Sequence, residues 1–318
     1  MSEENNNWER GVLEKLAMSA IQEQRRARHW SIFFKVLTFG YLFILLFLFM
    51  GMFDGKKDGS ISGSKHTALI DLEGVIASDK NANADNLIGS LQDAFKDKNT
   101  AAVLMRCNSP GGSPVQAGLV NDEMRRLRAL HPTIPLYVVV EDMCASGGYY
   151  IAAGADKIYV NKASIVGSIG VLMDGFGFTG TMDKLGVERR LMTAGENKGF
   201  LDPFSPRNPK HEVFTKNMLG EIHQQFIEVV KQGRGKRLHE TPEMFSGLFW
   251  SGDKAIEMGL ADELGSVDSV ARDVVKVENI VDFTTHEGFA DRLAKKFGAG
   301  VASAFPGFGA QVGGVTLR

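Results

Sequence analysis

The chain reads as an α/β protein: a parallel sheet with flanking helices, preceded by one segment apolar enough to cross a membrane. Three observations carry this. Short, almost continuously apolar runs alternate with helical patterns through the body, as expected of strands buried on both faces. Two glycine-rich loops come after two consecutive apolar runs. Residues 36–53 carry no charge.

The elements are taken in chain order. Residues 1–35 are polar, with a helical stretch over 8–28 in which Val12, Leu16 and Ile21 give weak amphipathicity. Residues 36–53 (VLTFGYLFILLFLFMGMF) have the length and all-round apolarity of a transmembrane helix. A cleaved signal peptide fits less well, because the preceding segment is long and no small-x-small site comes after it. Arg25, Arg26, Arg28 and Lys35 precede the span, whereas Lys56 and Lys57 beyond it are balanced by Asp54 and Asp58. This asymmetry predicts a cytoplasmic N-terminus and an exported, periplasmic body on a single-pass inner-membrane anchor. Residues 54–66 read as a Gly/Ser/Lys linker, 67–297 as the globular domain, and 298–318 as a loosely ordered tail.

Within the body, strands are expected at 67–72, 101–106, 136–140, 157–160 and 188–192. Helices are expected at 84–97, 115–130, 148–153, 211–234, 251–258 and 266–277. With 318 residues, 44% of them hydrophobic, the chain can bury a substantial core. A net charge of −2 and a pI near 6.4 give no reason to expect nucleic acid as a partner. Cys107 and Cys144 read as small buried residues, with a disulfide between them left open. No CxxC or Cys/His cluster is present, so neither a metal nor a cofactor is expected.

Ser146 lies between the apolar run ending at Val140 and the helical run from Gly148, and two glycines come directly after it. The glycines allow a sharp turn and leave an open N–H beside the serine, which makes Ser146 a candidate nucleophile. A second glycine pair lies in Asn108-Ser109-Pro110-Gly111-Gly112-Ser113. A nucleophilic serine needs a base. Of the seven histidines, none falls between His131 and His211, and none has a motif around it. Lysine made neutral by burial is the other candidate. Lys157 and Lys162 read as solvated strand ends. Lys198 lies just past the expected strand at 188–192, with Phe200, Pro203 and Pro206 placed to shield it.

These motifs, with Ser164-Ile165-Val166-Gly167-Ser168-Ile169-Gly170, Gly195-Glu196-Asn197-Lys198 and the run from Trp250 to Gly265, resemble the signal peptide peptidase A (protease IV) family in its short, single-repeat form. The resemblance covers residues 67–283. It implies the caseinolytic protease/crotonase fold and a Ser/Lys dyad, each chain supplying both members. Ser146 would be the nucleophile and Lys198 the general base. Ser168 would hydrogen-bond the lysine, and the Gly112 and Gly147 amides would form the oxyanion hole. Further implications are peptide substrates, chiefly cleaved signal peptides and other apolar membrane-derived peptides, and a homo-oligomeric ring with inward-facing sites. Two other readings use the same glycine loops: a crotonase-like acyl-CoA enzyme with a carboxylate base, and a non-catalytic membrane scaffold.

Overall fold

A computed structural model describes residues 2–53 and 64–285, which fall into two units. The first is one continuous helix, α1 (Ser2–Phe53). The polar helix and the apolar segment, expected as separate elements, run together because no proline or other stop signal interrupts them. The stretch Gln22–Phe47 is long and apolar enough to cross a membrane, with mean hydropathy 1.9. Trp30 meets Phe33 edge-on at 5.8 Å and stacks on Phe34 at 5.7 Å, as i,i+3 and i,i+4 neighbours do. Most of the expected linker and the whole tail at 298–318 lie outside the described residues.

The second unit contains an eight-stranded sheet. Its strands are β1 (His66–Glu73), β2 (Thr100–Ser109), β3 (Leu136–Ala145), β4 (Lys157–Val160), β5 (Ile165–Gly167), β6 (Phe249–Ser251), β7 (Glu263–Leu264) and β8 (Ile280–Asp282). The order is β6-β5-β3-β2-β1-β8, with β4 on β3 and β7 on β4. All pairings are parallel except β5–β6. β3 has two partners along the same edge. Tyr137–Val139 pair with β4, and Met143–Ala145 pair with β5. Between these stretches the β2–β3 register slips at Cys107/Ser109, and Glu141 and Asp142 reach solvent.

Helices α2 (Ala84–Lys96) and α3 (Pro114–Leu130) are capped by Asn83 and Ser113, whose side chains accept from Asn86 N and Gln116 N. Leu87, Leu91 and Phe95 of α2, with Val120, Met124 and Leu127 of α3, bury Ile70, Leu72, Met105 and Val138. Leu69, Leu104 and Val139, of alternate parity, pack with Tyr159, Val270 and Ala271. Both faces of the central strands are therefore covered, which is why they read as unbroken apolar runs. Cys107 and Cys144 are buried free thiols. Burial, with Cys107 alongside, pushes the Cys144 thiol well above its usual range.

Two expectations need correction. No strand forms at 188–192. That run is exposed and irregular, its charges satisfied locally by Arg190 to Glu188 at 2.8 Å and Arg189 to Asp202 at 3.3 Å. The helix expected at 266–277 is one α-turn, Val267–Ser269, running into a π-helical segment, Val270–Val275. Strands β5 to β8 leave no signal in the sequence because each has only two or three residues.

The C-terminal elements are tied to the sheet by a buried ion pair. Arg234 closes the long helix Pro209–Arg234, with its side chain 0% exposed; it donates to Asp262 at 2.8 Å and to Gly259 O at 2.9 Å. Asp262 also accepts from Ile158 N of β4 at 2.7 Å. Burial raises the Asp262 pKa, but Arg234, the Ile158 amide and Arg237 together hold it below the ordinary carboxylate range. Its stabilisation is therefore present at neutral pH and is lost as pH falls through the depressed folded-state value. Asp262→Ala strands the Arg234 charge and is expected to cost about 3–5 kcal/mol. Melting curves against pH check this: the deficit should shrink toward acid pH, and a pH-independent deficit would refute the assignment.

Candidate active site

β2 and β3 are parallel neighbours, so their C-terminal ends deliver both glycine loops to one place. β3 ends at Ala145. Ser146 then adopts φ 52°, ψ −123°, a strained conformation for a residue with a side chain. Its N–H donates to Gly167 O at 2.8 Å, and its carbonyl accepts from Tyr150 N at 2.9 Å, opening the fully buried helix α4 (Gly147–Ala152). The Ser146 side chain does not cap that helix and makes no hydrogen bond with a described residue. Its hydroxyl is uncommitted and half-exposed.

The other loop approaches at van der Waals distance. A Cβ on Gly111 would sit 2.6 Å from Gly147 N and 2.7 Å from Ser146 Cβ. One on Gly112, at φ 149°, would sit 2.1 Å from Ile76 O. One on Gly147 would lie 3.2 Å from Gly112 N. Only glycine fits at the first two positions. Among the described residues, no acceptor takes up the Gly112 or Gly147 N–H. Two unspent amides therefore adjoin the serine, the arrangement that stabilises an oxyanion.

Ser168 comes to the same place. Ala145 pairs with Gly167, so Ser146 and Ser168 are the next positions after neighbouring strands. Ser168 shares the unusual φ of 52°, is half-buried, and donates its N–H to Leu248 O at 2.8 Å. Sequence reasoning missed the residues that hold this loop. Trp250 would lie 3.0 Å from a Cβ on Gly167, and His223 bonds Ile169 O at 3.0 Å through Nε2. Trp250 opens the family-like run that ends at Gly265, whereas His223 has no local signal.

Lys198 is not gathered in. It lies in a turn closed by its N–H to Gly195 O at 3.1 Å and is exposed, where shielding was expected. Its Nζ makes no hydrogen bond or ion pair with a described residue, Ser146, Ser168 and Glu196 included. The surrounding segment is exposed too, and much of it is apolar: Leu172 is 81%, Phe176 79% and Met192 92% exposed. Among the described residues no cluster of His, Cys, Asp and Glu could hold a metal ion.

Residues 128–281, which include Ser146, Ser168 and Lys198, match the model of peptidase family S49. This match supports an SppA-like serine peptidase of family S49. A putative signal peptide peptidase SppA of Enterococcus faecium is 29% identical over 71% of the chain and 67% of its own length. A putative protease of Methanocaldococcus jannaschii is 32% identical, covering 65% and 66%. A Brucella melitensis protein named Na(+)/H(+) antiporter NhaA is 47% identical over 58% of the chain, which spans only 25% of that protein. The parallel sheet with flanking helices is the caseinolytic protease/crotonase-like fold that the S49 family implies.

Gly112 lies outside the matched segment, so its role rests on geometry. Gly112→Ala, forced against Ile76 O, is expected to lower kcat on a peptide or ester substrate about 100-fold with little change in KM. An unchanged kcat would remove Gly112 from the site.

Proposed function

We propose that this chain is a membrane-anchored serine endopeptidase using Ser146 and Lys198. The observation that carries the reading is an uncommitted serine hydroxyl on a strained turn beside two unspent amides, in a chain that matches the S49 family. Ser146 Oγ attacks the scissile carbonyl and Lys198 Nζ takes its proton. The carbonyl oxygen, now negative, is held by the Gly112 and Gly147 amides. Collapse expels the amine, which leaves with the proton from Lys198. Water, deprotonated by the lysine amine, then hydrolyses the acyl-enzyme. Ser168, adjacent to Ser146 by register, orients the lysine.

Lysine serves as a base only when neutral, and burial is what makes it so. In the single chain Lys198 is exposed. Assembly into a homo-oligomeric ring supplies the missing desolvation, because the same segment carries Leu172, Phe176 and Met192, apolar surface of the kind that marks interaction sites. Val75, Val115 and Leu119 are 52%, 68% and 49% exposed on segments flanking the Gly112 loop, and offer apolar contacts to a substrate. Together with an N-terminal anchor and a periplasmic body, this favours signal peptides and other short apolar peptides released from the membrane. The acyl-CoA alternative needs no nucleophile and leaves the strain at Ser146 unexplained.

A fluorophosphonate probe should label wild-type chain at Ser146 and fail on Ser146→Ala. Ser146→Ala and Lys198→Ala should each lose about 10⁴-fold in kcat on a peptide substrate; near-normal turnover in either removes that residue from the dyad. For wild type, kcat/KM should rise with pH through a single ionisation that Lys198→Ala abolishes. Assembly is tested separately. Leu172→Glu with Met192→Glu should give smaller particles in light scattering and loss of activity, and an active monomer would overturn the role of assembly.

A further inference from the structure

We infer that Ser109 is a positioning residue that sets the direction of the Gly112 amide, an inference that rests on the serine-peptidase reading above. Ser109 ends β2 and is 0% exposed. Its hydroxyl donates to Gly74 O at 2.6 Å and accepts from Gly111 N at 3.1 Å. One buried oxygen thereby joins the end of β1 to the oxyanion loop. The residue also backs onto the nucleophile's helix, since a Cβ on Gly148 would lie 3.3 Å from Ser109 Cβ.

Three consecutive peptide units of the loop are pinned. The unit entering Gly111 is held through its N–H by Ser109 Oγ. The unit joining Gly111 to Gly112 is held through its carbonyl, which accepts from Ile76 N at 2.9 Å. The unit leaving Gly112 is held through Ser113 N, which donates to Ile76 O at 2.8 Å. In a trans peptide the N–H points opposite to the C=O. Anchoring Gly111 O on Ile76 therefore turns Gly112 N–H away from Ile76. Glycine has no side chain to resist rotation at 111 or 112, so these three bonds set its direction. Two of the three use backbone atoms of Ile76, and Ser109 supplies the only side chain. Ser109 also fixes the Ile76 segment itself, through Gly74 O two residues earlier. Removing the hydroxyl loosens both sides of the Ile76–Gly111 contact at once.

The experiment uses the full chain. Ser109→Ala and Ser109→Cys are titrated with a fluorophosphonate to count competent Ser146 sites, and kcat and KM are then expressed per titrated site. Ser109→Cys leaves no cavity and weakens both bonds, so it carries the readout if Ser109→Ala does not fold. The expected result is a fall in kcat per site of about 10- to 100-fold, smaller than full loss of an oxyanion donor, with KM within about threefold. A residue that only stabilised the fold would lower the number of titratable sites and the melting temperature, leaving turnover per site unchanged. Turnover per site within twofold of wild type, or a rise in KM that accounts for the loss, overturns the inference. Wild-type chain that does not label at Ser146 overturns the peptidase reading, and the role of Ser109 falls with it.

Discussion

The site depends on one close contact, that of two glycine turns at the ends of two adjacent parallel strands. Parallel pairing of β2 and β3 puts both C-terminal ends on the same edge. The loops leaving these strands must then share a confined space. A side chain at Gly111 would overlap Ser146 and Gly147, and one at Gly112 would overlap Ile76. The glycines are there because backbone has to touch backbone. Among the described residues, the same contact leaves two N–H groups beside Ser146 without acceptors.

β3 provides the second constraint. Its first half pairs with β4 and its last three residues pair with β5, and the change of partner coincides with a register slip against β2. After the slip, Ser109 faces Cys144. β5 continues the pairing to the end of β3, where Gly167 O accepts from Ser146 N. The Ser146 backbone is thus held on one side by β5 and on the other by helix α4. Strain at a single residue persists when its neighbours are this fully determined. The cost falls on Ser146, and the two-sided support explains why it is tolerated.

Much of this is legible in the sequence. Central strands buried on both faces leave unbroken apolar runs, and helices with one buried face leave a period near 3.6, so the expected elements at 67–72, 157–160 and 211–234 lie close to the observed ones. Glycine pairs after strands point to Ser146, Gly112 and Gly147. Strands of two or three residues are invisible, because pairing rather than pattern creates them. The run Glu188-Arg189-Arg190-Leu191-Met192 misleads for the converse reason. It has residues that a strand could use, but it pairs with no strand of the sheet. Ser109 sits inside a recognisable motif without any sign of its role, since a buried hydroxyl's partners, Gly74 and Gly111, become visible only when β1 and β2 are laid side by side.

The two halves of the proposed dyad differ in how finished they are. Ser146 and its amides lie in a close-packed region where Gly147, Gly148 and Tyr149 are buried, and their geometry depends on contacts internal to the body. Lys198 lies in an exposed turn, and among the described residues its Nζ has no hydrogen-bond or ion-pair partner. The proposed role of Lys198 as base therefore requires shielding that the single chain does not supply. On this reading the serine and its amides are positioned by folding and the base is completed by association. Under the proposed division, a chain still exposing its own apolar segment to solvent would lack the base needed to cut.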